Sequence, residues 1–145
     1  MSTRYPKLAQ LLERRSLRRG NFVLSSGKTS TYYIDGKLTS MDAEGAAVIA
    51  DAILSEIEGL NIDAVGGMDM GATPIVGAVA CRSFLAGRPL PTFVVRKDVK
   101  AHGTMKRIEG PVPPAPCNVV IVDDVVTTGD SIINRSSDWW RAVAG

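Results

Sequence analysis

The chain holds only two cysteines and one histidine in 145 residues. Cys81 and Cys117 lie far apart, so neither a disulfide framework nor a metal-type cysteine cluster is written into the sequence, and reduced thiols of a cytoplasmic protein are expected. No apolar run approaches the ~20 residues of a membrane span, which argues against a membrane partner. Charge is nearly balanced at +2, too little to argue for nucleic acid. Repeats and low-complexity blocks are also missing. What remains, 45% hydrophobic and 22% charged residues, is the composition of one globular domain able to bury a sizeable core.

The most informative segment is Val119–Ser131, VVIVDDVVTTGDS. Val119–Val122 reads as a buried parallel strand, and Asp123 and Asp124 stand where it ends. Val125, Val126, Thr127, Thr128, Gly129, Asp130 and Ser131 form a short loop opening a helix. Such a loop leaves backbone N–H groups free, and the helix adds its positive end, which suits a phosphate. The acid pair repels phosphate but suits a hydrogen-bond-donating ribose diol or Mg²⁺. A plain capped helix start, with Thr128 or Asp130 as N-cap, leaves the acid pair unexplained. This segment resembles the diphosphoribose signature of the type I phosphoribosyltransferases.

Upstream, Leu8, Leu11 and Leu12 predict a surface helix over Tyr5–Leu17. Six basic residues before residue 20 face only Glu13, a balance also found in transit peptides, but no cleavable apolar segment follows. Phe22–Ser25 and Thr31–Asp35 read as a hairpin about the turn Ser26–Ser30. Asp42 or its neighbour caps a helix through Ala43–Glu58, and Ile62–Gly67 is a strand. Thr73-Pro74 opens a second helix to about Leu85, and Thr92–Arg96 is another strand. Lys97–Pro116 is a long, basic, functional loop. This order is close to a doubly wound α/β pattern with parallel strands, the hairpin forming a hood beside the strand ends.

A second cluster lies at Val95–Gly103, V-R-K-D-V-K-A-H-G. Arg96, Lys97, Lys100 and His102 put three fixed cations and the sole imidazole at a strand end, where they suit a pyrophosphate. Read blandly, this is a solvated basic loop, but a phosphate loop at the same sheet edge favours the polyanion. The segment is similar to the catalytic loop of orotate phosphoribosyltransferases. Phe22-x-Leu24-x-Ser26-Gly27-x-x-Ser30-x-Tyr32-Tyr33-Ile34-Asp35 resembles that family's orotate-contacting hairpin, although an aromatic core hairpin would also account for Tyr32. Gly67–Ile75 resembles its glycine-rich turn.

The resemblance implies an α/β, type I phosphoribosyltransferase-like parallel sheet flanked by helices. The single domain over 1–145 divides into an N-terminal helix and hood hairpin (1–40), a core (41–134) and an atypical tail (135–145). It implies transfer of phosphoribose from 5-phosphoribosyl 1-diphosphate (PRPP) to orotate, with Mg²⁺, in a homodimer with shared sites. Lys100, His102, Asp123 and Asp124 become the catalytic candidates. Arg96, Lys97, Lys100, His102 and Asp123–Ser131 become the PRPP contacts, and Tyr33, Ile34 and Thr127 the orotate contacts; no protein metal site is expected. Three departures stand beside this. Ser25 replaces a lysine of some members, and Met70-Gly71 replaces a Tyr-Lys pair. The tail RSSDWWRAVAG lacks the family's further strand and Arg-bearing loop, as expected of a truncated or frameshifted product with its last strand missing. Rival readings are a phosphoribosyltransferase for another base, a regulator that keeps the nucleotide loop, and an inactive fragment.

Overall fold

The computed structural model describes residues 3–24, 27–96, 107–126 and 132–133. Helix α1, Pro6–Arg15, ends two residues sooner than the leucine spacing predicts. A tertiary partner cuts it short. The Ser16 hydroxyl is buried against that of Thr39 at 2.6 Å, and the Ser16 carbonyl accepts the Asp35 N–H at 3.0 Å. The chain therefore leaves the helix at once and enters β1, Leu17–Val23, longer than the predicted Phe22–Ser25. This strand pairs antiparallel with β2, Thr29–Ile34, so that Leu17 faces Ile34 and Val23 faces Thr29. Gly27, at φ 78°, holds the left-handed corner of the connection, a conformation costly for other residues.

A four-residue helix the sequence reading did not foresee, α2, Lys37–Ser40, joins the hairpin to α3, Ala43–Glu56. Asp42 caps α3 as expected, accepting the Gly45 N–H at 2.9 Å. A Cβ on Gly45 would stand 2.9 Å from the Thr39 carbonyl carbon, so the absent side chain lets α2 seat against α3.

The main sheet runs in the order β5-β4-β3-β6: β3 Ala64–Met68, β4 Thr92–Val95, β5 Ile108–Glu109 and β6 Val119–Val122. Strands β4 and β6 flank β3 in parallel, while β5 runs antiparallel to β4 inside what the sequence suggested was one long loop. Helix α4, Thr73–Leu85, matches the predicted span. Residues alternate between two faces of the sheet. Val65 packs with Ala50 and Ile57 of α3 and Val76 and Val79 of α4. Ala64, Met68, Phe93 and Val95 pack with Ile108, Val112 and Ile121 instead. Both described long helices thus cover one face; on the other, Val112 of the chain after β5 is the described residue outside the strands that packs on the cluster. The β3-to-β4 and β4-to-β6 connections travel in opposite directions across the sheet, so crossovers of one hand place them on opposite faces. Only the first of them contains a described helix.

Candidate active site

Strand β3 sends the chain toward β4, whereas β6 lies on its other side, so the carboxyl ends of β3 and β6 flank a reversal in strand order. Ligands of open α/β sheets bind in such a crevice. Asp123 and Asp124 follow β6 directly into it. The Asp124 N–H donates to Asp123 Oδ1 at 2.9 Å, so the first acid closes the turn that presents the second. The Asp124 side chain is only 13% exposed. Gly36 and Gly71 form its walls: a Cβ on Gly71 would stand 2.5 Å from Asp124 Cγ, and one on Gly36 3.3 Å from Asp124 Cβ. The turn that carries Gly71 leaves β3 through a cis Asp69–Met70 peptide.

The third wall is a cation. Lys37 Nζ donates to Asp124 Oδ2 at 3.2 Å and lies 3.8 Å from Asp35 Oδ1. The Asp124 hydrogen bond, and then its charge, raise the Lys37 pKa above the ordinary 10.5, and partial burial opposes them only in part. Asp35 also accepts the Lys37 backbone N–H at 3.2 Å, which turns the chain from β2 into α2.

Arg96 follows β4 at the same edge. Its backbone N–H donates to the Arg107 carbonyl at 2.8 Å, and its guanidinium lies 3.6 Å from Glu109 of β5. Arg96 Nε is buried and has no hydrogen-bond partner among the described residues. Tyr33 and Ile34 are exposed on β2, with the Tyr33 ring 5.7 Å from that of Phe22. Tyr32 is 54% exposed, which sets aside its reading as a core aromatic. Val125 and Val126 are exposed after the acid pair. A cavity of 360 Å³ opens beside them, lined by Gly36, Ser40, Ile75, Ile121, Asp124 and Val126 among others. The structure therefore gathers Asp123, Asp124, Val125 and Val126 at one strand end. Lys97, Lys100, His102, Thr127, Thr128, Gly129, Asp130 and Ser131 lie outside the described residues, as do Ser25 and the tail 134–145.

No protein-family model matches the chain. A curated orotate phosphoribosyltransferase from Nostoc sp. is 44% identical over 142 residues, covering 98% of this chain and 68% of the relative. The chain belongs to the orotate phosphoribosyltransferase family. Among solved structures, a Mycobacterium tuberculosis orotate phosphoribosyltransferase in complex with Fe(III) dicitrate superposes with a TM-score of 0.78 at 33% identity, over 96% of this chain and 77% of that one. The same organism's enzyme in complex with PRPP gives 0.74 at 30% identity, over 96% and 75%. The fold is thus the α/β fold of the type I phosphoribosyltransferases.

Local sequence pattern passes over two charged residues of the site, Lys37 and Glu109. The signal for Lys37 was present, a basic residue two positions after the hairpin's last acid, but nothing local points it at an aspartate 87 residues away. Glu109 carried no signal until β5 paired with β4.

Proposed function

We propose that the chain transfers phosphoribose from PRPP to orotate, giving orotidine 5′-phosphate and pyrophosphate in pyrimidine synthesis. The observation that carries this reading is the mostly buried Asp124, set beside Asp123 where the strand order reverses. An ionised carboxylate accepts hydrogen bonds only, and two of them side by side match a neutral diol. In the reaction the bond from ribose C1 to the diphosphate oxygen breaks, and its electron pair leaves with pyrophosphate. A bond from an orotate ring nitrogen to C1 forms as that nitrogen gives up its proton, which the released pyrophosphate can take up. Positive charge grows on the ribose ring and negative charge on the leaving group, so preorganised opposite charges do most of the work. Asp123 and Asp124 hold the ribose hydroxyls and favour the cationic ring. Backbone N–H groups of Thr127–Ser131 cradle the 5′-phosphate. Tyr33, Ile34 and Thr127 receive orotate.

Arg96, Lys97, Lys100 and His102 take the pyrophosphate charge, with Lys100 the principal cation and His102 the proton or hydrogen-bond donor. Magnesium keeps several waters and binds through one or two carboxylates plus substrate phosphates. Asp124 already pairs with Lys37, and no cluster of three or more His, Cys, Asp or Glu gathers among the described residues, so Mg²⁺ would be held mainly by the substrate's own oxygens. When bound, Mg²⁺ draws charge from the departing diphosphate.

In this reading residues 1–145 act as one domain, two copies pair with shared sites, and the enzyme works in the cytoplasm. Both cysteines are free, and no described helix is long and apolar enough to cross a membrane. The deciding assay follows the loss of orotate absorbance with PRPP and Mg²⁺, beside a panel of other bases. Turnover of orotate alone, lost in Lys100→Ala and Asp124→Asn, is the expected outcome. A folded chain that turns over a purine instead overturns the assignment. Lys100→Ala lowers kcat far more than it weakens substrate binding, and equal losses refute a transition-state role for the lysine.

A further inference from the structure

We propose that Lys37 is a positioning residue, whose ammonium holds the Asp124 carboxylate in place for the ribose diol of PRPP from the opposite side of the crevice. The inference rests on the functional reading above. Lys37 Nζ is the cation within hydrogen-bond reach of Asp124 among the described residues, at 3.2 Å from Oδ2. Its base is anchored three ways. Asp35 accepts the Lys37 backbone N–H at 3.2 Å. Thr39, two residues on, is fully buried on its 2.6 Å bond to Ser16. Gly45 lets α3 close against the Thr39 backbone.

Asp124 meets a wall on its other side, because Gly71 leaves no room for a Cβ beside Cγ. The carboxylate is therefore held between a backbone wall and a cation on a fixed helix. Two adjacent carboxylates repel, and Lys37 offsets that repulsion at Asp124. The lysine also ties the acid pair to the hairpin carrying Tyr33 and Ile34, since only Asp35 and Gly36 separate it from Ile34.

A merely structural ion pair would leave substrate discrimination unchanged, and the test exploits this. PRPP carries the diol and inorganic pyrophosphate does not. Titration calorimetry with Mg²⁺ measures both ligands against wild type, Lys37→Met, Lys37→Arg, Asp124→Asn and the Lys37→Met/Asp124→Asn double variant. The wild-type titration with PRPP tests the functional reading by itself; no binding there overturns that reading and the Lys37 assignment with it. Given wild-type binding, Lys37→Met weakens PRPP by about tenfold, the scale of one charge-assisted contact, and leaves pyrophosphate unchanged. Lys37→Arg restores most of the loss. In the Asp124→Asn background, Lys37→Met adds nothing, because the lysine acts through that acid. Unchanged PRPP affinity, an equal loss for pyrophosphate, or fully additive losses each overturn the assignment. Lys37 is 44% exposed, so its variants are expected to fold; should Lys37→Met not give the wild-type circular dichroism spectrum, Lys37→Gln takes its place on the same criteria.

Discussion

Gly71→Ala isolates the position of one carboxylate. Gly71 sits in backbone that other residues adopt freely, for it has no positive φ. The added methyl therefore meets no left-handed strain, and its three nearest neighbours are all atoms of Asp124. The new Cβ would stand 2.5 Å from Cγ and 2.9 Å from Oδ2, where ordinary contact begins at 3.4 Å. Asp124 Oδ1 is nearer still, so the carboxylate must retreat by roughly 1 Å or more, taking its Lys37 bond with it. Displacements near 1 Å at a positioned group cost up to about 10²-fold in rate, or about 2.7 kcal/mol of transition-state stabilisation. Stability falls as well: the overpacked carboxylate costs about 1–3 kcal/mol, and Gly→Ala returns about 0.4–1 kcal/mol through the unfolded chain. At this chain length Tm drops by at most about 10 °C. The assay pairs kcat/KM, from orotate absorbance at varied PRPP, with thermal unfolding by circular dichroism. A large loss of kcat/KM, measured well below the lowered Tm, is expected. Wild-type kcat/KM would refute the reasoning, because either Asp124 tolerates the shift or the Gly71 turn opens without cost.

Three further outcomes follow from other parts of the fold. Gly66→Ala pushes a methyl into the buried Phe93 ring and to 2.7 Å from Ile121 Cδ1, so it destabilises by about 1–3 kcal/mol, read from urea midpoints at unchanged m-value. Asp42→Ala removes the α3 cap at 2.9 Å and the partner of Arg15 at 2.8 Å, lowering stability by about 1 kcal/mol, whereas Asp42→Asn keeps most of the capping contribution. Because folding raises the Lys37 pKa above 10.5, its pairing contributes fully below that pH and is lost as pH climbs through the folded value. The Tm difference between wild type and Lys37→Met is therefore constant from pH 7 to 9 and shrinks only above about 10.5; a difference that shrinks at neutral pH would contradict the pairing.

Local pattern carried much of this protein. The parallel strand Val119–Val122 with its two acids (half-buried rather than buried as expected), the Thr73–Leu85 helix with proline in its first turn, and the Asp42 cap are legible because each depends on neighbours a few residues away. The family resemblance rests on the same short segments, and the relatives bear it out. Tertiary structure decided what local pattern cannot encode. Leu17 belongs to a strand because Ser16 is held by Thr39 and Asp35, and Ile108–Glu109 pairs only because β4 offers an edge. Strand order brings Gly71 beside Asp124 across the β3–β6 crevice, and α2 delivers Lys37 to the same acid from 87 residues away. A sequence determines which charges and small residues a chain owns; which acid a given lysine meets depends on how distant segments pack, and only the folded chain settles that.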